Sequence, residues 1–145
     1  MASNHLQTIA AAAWALKRAS TQAFHSVMHQ TVRNAQALAQ ALMQRDFGVL
    51  TGGTDCHMLM ADLRPLYKKY PDGPKDANEY CDRLERIGVS VNSKKLPFDP
   101  SGKANGLRVG CTILAQRGMK EDDMQDIADI FMRTFAGDAD SLDQC

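Results

Sequence analysis

The sequence lacks several features that would place the protein in a major functional class. Its 17 Lys and Arg residues are matched by 17 Asp and Glu, so it has no basic excess of the kind that nucleic-acid-binding domains carry. No apolar run reaches the roughly 18 residues of a membrane span, and the N-terminus does not resemble a signal peptide. We therefore expect a cytoplasmic protein that binds neither nucleic acid nor membranes.

Paired cysteines are also missing. The chain has four cysteines, which are widely spaced: Cys56, Cys81, Cys111 and Cys145. No two of them have the C-x-x-C spacing of zinc sites and redox motifs, so the sequence predicts neither a metal centre nor a disulfide framework. Reduced thiols are the default in a cytosol-like compartment.

Two histidine-containing patterns fall short of a catalytic or metal site. His25 and His29 have the four-residue helical spacing of metal ligands, but no glutamate lies between them and no third ligand is evident. The pattern therefore favours the interpretation that His25 and His29 are ordinary polar residues beside the apolar stripe of a helix. Asp55 and His57 are two residues apart, but Cys56 points to the other side of a strand, so no nucleophile completes a triad. We interpret this pair as part of a structural turn.

The apolar spacing predicts two helices at the N-terminus. Residues 9–19 are rich in alanine and apolar almost all round, which indicates a helix that needs a partner to cover it. Ser20 has the chemistry of a cap for a second helix that runs to about Arg45.

The rest of the chain alternates short strands with helices. We expect strands at residues 49–51, 57–61, 89–91 and around residue 108, with an irregular segment over residues 64–71. One helix starts at Gly73-Pro74 and stops at Gly88, and another follows Gly118. This order predicts an α/β fold, a small α+β sandwich with helices on one face of the sheet.

Residues 104–110, with the sequence A-N-G-L-R-V-G, have the alternation of a half-buried strand. Leu107 and Val109 are two apart, so Arg108 points to the opposite face. An exposed polar side chain is the ordinary outcome of such alternation. An arginine held between Gly106 and Gly110 also has a planar fork that matches a carboxylate with two parallel hydrogen bonds.

Four segments, taken together, resemble the C-terminal part of the serine hydroxymethyltransferase family, which are pyridoxal-phosphate enzymes of fold type I. They are residues 8–17, with T-I-A-A and A-L-K; residues 51–64, with T-G-G-T-D-C-H; residues 87–100, with I-G-V-S-V-N and P-F-D-P; and residues 106–119, with G-L-R-V-G and R-G-M. The match covers nearly the whole chain in the family's order. It implies that residues 1–19 form a helix of a large domain and that residues 20–145 form the small C-terminal α/β domain.

The resemblance also implies roles for individual residues. Arg108 occupies the position of the arginine that binds the substrate's carboxylate. Asn92 and Lys94 lie in the segment that contacts folate and substrate, and Ser3 and Asn4 lie where the family contacts the cofactor phosphate. No lysine of this sequence matches the family's cofactor lysine, so we expect no catalytic residue in this chain.

The sequence departs from the family pattern at three places. Lys94 replaces an asparagine that contacts folate, so tetrahydrofolate use is doubtful. Residues 2–4 replace the G-G-P that precedes the first helix, and residues 111–113 replace T-P-A after the arginine strand.

The resemblance therefore predicts the C-terminal subunit of a split, pyridoxal-phosphate-dependent enzyme that is inactive alone. A second polypeptide would carry the cofactor lysine and hold the cofactor, in a hetero-oligomer with two copies of each chain. The reaction would be hydroxymethyl transfer between serine and glycine, or a folate-free aldolase or transaldolase reaction on a β-hydroxy amino acid. The alternative is a non-catalytic, degenerate half-enzyme that binds or regulates an intact homologue.

Overall fold

Residues 5–137 of the chain are described by the computed structural model, and they form six helices and four short strands. The helices are α1 (Leu6–Ala19), α2 (Gln22–Met43), α3 (Arg64–Lys69), α4 (Ala77–Arg86), α5 (Thr112–Gln116) and α6 (Asp123–Ala136). The strands are β1 (Gly48–Val49), β2 (Met58–Asp62), β3 (Asn92–Lys94) and β4 (Gly106–Gly110). None of these helices combines the length and apolar character that crossing a membrane requires.

The four strands form one antiparallel sheet in the order β1-β2-β4-β3. Leu59 and Ala61 on β2, and Leu107 and Val109 on β4, are buried beneath the helices, while the residues between them on each strand are more exposed. The helices therefore cover one face of the sheet, and the other is largely open. This confirms the predicted α/β class with helices on one face.

The core lies between this covered face and the helices α2, α4 and α6. Phe135 is at its centre, with four aromatic rings whose centroids lie 5.1 to 6.2 Å away: Phe47, Tyr67, Tyr70 and Tyr80. The buried Tyr80 hydroxyl donates a hydrogen bond of 2.6 Å to the carbonyl of Phe131. The polar end of this aromatic side chain is thus satisfied inside the core.

Helix α2 is the long helix that the apolar stripe predicts, although its cap is Thr21 and not Ser20. The Thr21 hydroxyl accepts a hydrogen bond of 3.3 Å from the backbone N–H of Phe24. Near its middle, the fully buried Asn34 donates to the carbonyl of Met119 at 2.9 Å. That bond ties α2 to the loop before α6.

Helix α1 is also predicted correctly, and it contains no buried residue. Its large apolar side chains are mostly exposed: Leu6 at 75%, Ile9 at 55%, Trp14 at 62% and Leu16 at 71%. The packing that its apolar surface predicts is therefore not supplied by residues 5–137.

The structure corrects the predictions for residues 49–51 and 64–71. Strand β1 ends at Val49, and Leu50–Gly52 form a 3-10 turn in which Thr51 has a φ of 61°. Residues 64–69 are helix α3, not irregular, because the Asp62 carboxylate accepts from the Arg64 N–H at 3.0 Å and proline is tolerated in a first turn.

The boundaries around α4 also differ. Asp76, rather than Gly73-Pro74, caps the start of α4, and its carboxylate accepts from the N–H groups of Asn78 and Glu79 at 2.9 and 3.0 Å. The third strand occupies residues 92–94 and not 89–91, because the Val89 N–H bonds to the Leu84 carbonyl at 2.9 Å and closes the helix end.

Candidate functional site

Strand β4 presents Arg108 on the open face of the sheet. Its neighbours Leu107 and Val109 are 0% and 4% exposed, whereas Arg108 is exposed. The predicted alternation is therefore confirmed. The guanidinium of Arg108 makes no hydrogen bond or ion pair with any of residues 5–137, so it is available to a ligand or to another chain.

The strand register brings Asn92 and Lys94 to the same face as Arg108. Asn92 lies directly opposite Arg108, and Lys94 lies opposite Gly106. Ser93, between them, donates a hydrogen bond of 2.6 Å to Asn78 of α4 on the helical side. Side chains alternate along a strand, so Asn92 and Lys94 point to the open side. These three sequence-predicted site residues thus share one surface.

A pocket of about 420 Å³ opens beside Arg108. Polar residues among its lining are His57, Ser90, Asn92 and Arg108, and Gly110 lines it as well. No aspartate or glutamate is among its lining residues. Arg108 and Asn92 can donate hydrogen bonds here and no lining carboxylate opposes them, which is the chemistry of an anion site, and the arginine fork suits a carboxylate.

His57 is a pocket residue that sequence reasoning assigned to a turn. The turn itself is real, since Thr54 donates to the Met58 carbonyl at 2.6 Å. The His57 carbonyl accepts a hydrogen bond of 2.9 Å from the Cys111 N–H, which fixes His57 beside the end of β4. The sequence feature that could have identified His57 as a pocket residue is its position directly before β2. However, only the pairing of β2 with β4 brings it near Arg108.

A buried carboxylate holds the start of β4. The Asp99 side chain, 1% exposed, accepts hydrogen bonds from the N–H of Leu96, the N–H of Asn105 and the Asn105 amide, at 2.8, 2.9 and 2.7 Å. Burial alone would raise the pKa of Asp99, but these hydrogen bonds and Arg64 outweigh it and hold the pKa below its ordinary value. Asp99 therefore fastens the loop between β3 and β4 in its ionised form.

The remaining predicted site residues are not part of this pocket. His25 and His29 are exposed on α2, and no group of three potential metal ligands occurs within residues 5–137. Ser3 and Asn4 lie outside the described residues. Cys56, Cys81 and Cys111 are free thiols, and burial raises the pKa of Cys111 to about 11, as for a packed, unreactive thiol.

Comparison with protein families decides the relationship. A model of the serine hydroxymethyltransferase family matches residues 2–131. The chain belongs to the serine hydroxymethyltransferase family. It is 42% identical over 126 residues to "Serine hydroxymethyltransferase 2" of Mesorhizobium japonicum, an alignment that covers 86% of this chain and 27% of that relative.

Two further relatives give the same result. The serine hydroxymethyltransferases of Clavibacter michiganensis subsp. michiganensis and Clavibacter sepedonicus are each 37% identical over 142 residues. Each alignment covers 93% of this chain and 32% of the relative. The chain thus spans about a third of the length of the curated serine hydroxymethyltransferases that it matches.

The pyridoxal phosphate that the family resemblance implies does not fit the described pocket by itself. No lysine lines the pocket, and neither does any carboxylate that would face a pyridine nitrogen. The groups that are present suit the acid group of an amino acid. The residues that line this pocket therefore do not form a complete cofactor site.

Proposed function

We propose that this chain is the C-terminal, substrate-binding part of a serine hydroxymethyltransferase-like enzyme of fold type I that acts on Cα–Cβ bonds of β-hydroxy amino acids. The observation that carries the proposal is Arg108, an exposed guanidinium with no partner among residues 5–137, beside a pocket that no carboxylate lines. The reaction is hydroxymethyl transfer between serine and glycine, or a folate-free aldolase or transaldolase reaction.

Arg108 has a positioning task in this reaction. Two parallel hydrogen bonds from its fork hold the substrate carboxylate and limit rotation of the amino acid about that anchor. Asn92, directly across the strand pair, borders the same pocket and can donate or accept a further hydrogen bond. Correct orientation of a breaking bond contributes much of the rate acceleration of enzymes.

Pyridoxal phosphate, when bound, supplies the electron sink that allows the Cα–Cβ bond to break. We propose that a second polypeptide carries the lysine that binds it, in a hetero-oligomer with two copies of each chain. Residues 1–19 would then belong to the large domain and residues 20–145 to the small one. The exposed apolar side chains of α1 support this arrangement, because they need a covering partner.

Lys94 bears on the use of tetrahydrofolate. A lysine ammonium only donates hydrogen bonds, whereas an asparagine amide both donates and accepts. Lys94 lies exposed on the Arg108 face, where it would meet a folate bound there. We therefore propose weak or absent folate binding, which favours the aldolase variant. Folate titration of the assembled complex should give little spectral change, and micromolar affinity would contradict this.

The proposal is tested by co-purification with the second polypeptide, followed by an absorbance scan for bound cofactor and an assay of β-hydroxy amino acid cleavage. We expect cofactor absorbance and cleavage that falls in Arg108→Ala but not in Arg86→Ala, which removes an exposed arginine of α4 away from the pocket. A stable complex with an intact homologue that cleaves equally well without this chain would instead support the non-catalytic alternative.

A further inference from the structure

The loop between β3 and β4 carries Phe98, the most exposed of the large apolar side chains within residues 5–137, at 98%. An aromatic ring ordinarily contributes to a core or to an interface. We propose that residues 95–103, the Phe98 loop, bind the second polypeptide of the assembly, with the Phe98 ring in an apolar pocket whose rim carries aspartate or glutamate. This inference rests on the proposed need for a second polypeptide and adds the surface that binds it.

The backbone conformation of Phe98 is the first support. Its φ is 68°, in the left-handed region, which is an outlier for a bulky side chain. Neither this strain nor the exposure of the ring helps the chain to fold. Strained residues of this kind concentrate at sites where proteins bind other molecules. The conformation therefore indicates that the ring has a task outside the fold.

The Phe98 loop is also held in place on both sides of the ring. The Pro97 carbonyl accepts a hydrogen bond of 3.3 Å from the Arg64 guanidinium. Asp99, the next residue, is buried, and its N–H donates to the Leu96 carbonyl at 3.1 Å. A ring that is positioned before binding loses less conformational freedom on binding, which favours a tight contact.

The charge around Phe98 indicates what kind of surface it meets. Within residues 87–110 the only acidic residue is Asp99, which is 1% exposed. Lys95 and Lys103 are exposed, and neither forms an ion pair with any of residues 5–137. Like charges oppose a second copy of the same loop, whereas acidic side chains on a partner complement it.

A polypeptide is the occupant that these features favour. Sites for single-stranded nucleic acid stack successive bases on several aromatic rings along a basic groove, whereas this loop offers one ring and the chain has no basic excess. A single aromatic side chain in a partner's pocket is a common hot spot of protein interfaces. About two thirds of the length of the matched relatives lies outside this chain, so the second polypeptide has ample surface to cover the loop.

The test is the dissociation constant of the complex between the full chain and the co-purified second polypeptide. In Phe98→Asn it should rise by about thirtyfold or more, as loss of a hot spot implies. Asparagine adopts a positive φ more readily than phenylalanine, so the same variant should unfold at a higher urea concentration. The matched control is Ile113→Asn, which removes an apolar side chain of α5 that is 58% exposed and should change the constant less than about threefold.

A series of salt concentrations tests the charge of the partner's rim. Salt should weaken the wild-type complex, and it should weaken the Lys95→Gln and Lys103→Gln complexes less steeply, since each variant removes one charge from the interface. Lys120→Gln, which removes an exposed lysine before α6, should keep the wild-type dependence.

Three outcomes would overturn the inference. If Phe98→Asn binds the second polypeptide as tightly as the wild type does, the Phe98 loop is not the binding surface, although the proposed assembly stands. If the wild-type chain forms no complex, the assembly in the proposed function fails and the inference fails with it. Binding of oligothymidylate that is lost in both Phe98→Asn and Lys95→Gln would identify nucleic acid, not a polypeptide, as the partner of this loop.

Discussion

At the scale of single residues, the proposed function depends on the chemistry of one guanidinium. Arg108 is exposed on the open face, while its sequence neighbours Leu107 and Val109 are buried. A lysine ammonium and an arginine guanidinium do not bind a carboxylate in the same way, since only the planar guanidinium offers two aligned donors. Conservative and drastic substitutions of Arg108 should therefore both be informative.

Arg108→Lys should weaken amino acid binding by one to two orders of magnitude, because it removes one charge-assisted hydrogen bond of about 1.5–3 kcal/mol. Arg108→Ala should weaken it further. Neither should affect folding, since the side chain makes no hydrogen bond or ion pair with any of residues 5–137 and is exposed. The dissociation constant of glycine or serine in the assembled complex is the measurement. An Arg108→Lys constant within about threefold of wild type would mean that Arg108 is an ordinary exposed strand residue.

At the scale of elements, the hairpin of β3 and β4 determines where Arg108 points. Two features fix its register: the close approach of Leu96 and the Lys94 carbonyl to Gly106, and the hydrogen bonds of Asp99. Since a shift by one residue would turn Arg108 toward the core, these contacts matter for the site as well as for stability.

The two glycines of β4 give a matched pair of substitutions. Gly106→Ala should destabilise the fold by about 1–3 kcal/mol, because its methyl would meet Leu96 at 2.4 Å and the Lys94 carbonyl oxygen at 2.8 Å, and a backbone atom cannot yield cheaply. Gly110→Ala should be close to neutral, since nothing lies within 4 Å. Urea unfolding of both variants measures the difference. Equal stabilities would show that β4 does not pass this close to the loop.

Asp99 should make the loop sensitive to acid. Its folded-state pKa lies below the ordinary value, so the carboxylate stabilises the fold above the unfolded-state pKa of about 4. That contribution is lost as the pH falls from there through the folded-state pKa. Asp99→Asn should cost about 1.5–3 kcal/mol at pH 7 and flatten this acid dependence, which unfolding at a series of pH values would record. If the free energy of unfolding of Asp99→Asn falls at low pH as steeply as that of the wild type, other carboxylates cause the acid dependence.

At the scale of the whole molecule, the surface of α1 is the feature that residues 5–137 leave unexplained. Its apolar side chains form no part of the core, and the chain spans only about a third of its relatives' length. An obligate interface commonly buries more than about 2,000 Å², and a surface of this kind is aggregation-prone when uncovered.

The isolated chain should therefore self-associate and show neither a pyridoxal-phosphate absorbance shift nor aldol cleavage. Leu16→Glu should reduce self-association in sedimentation experiments without lowering stability, because Leu16 is 71% exposed. The matched control is Phe98→Glu, which removes an apolar side chain that is 98% exposed but lies outside α1. A wild-type monomer at micromolar concentration, or a borohydride-reducible adduct of the cofactor on one of the chain's own lysines, would contradict these expectations.

The sequence by itself determined the elements whose signals are local. The apolar stripe of α2, the alternation around Arg108 and the glycine that ends α4 each depend on neighbours within a few residues, and the structure has them as predicted. Local signals failed where polar contacts set the boundary. The Asp62 carboxylate accepts from the Arg64 N–H at the start of a helix where an irregular segment is predicted. The Val89 N–H bonds to the Leu84 carbonyl at the end of α4, so the third strand begins at residue 92 and not at residue 89.

Only the tertiary structure decided which residues surround Arg108. His57 lies 51 positions before Arg108 in the sequence, and its own pattern indicated a turn. The antiparallel pairing of β2 with β4 brings it to the pocket, while the pairing of β3 with β4 sets Asn92 opposite Arg108. Strand pairing joins distant segments through backbone hydrogen bonds that every residue except proline can make, so side-chain patterns alone do not specify the partner strand.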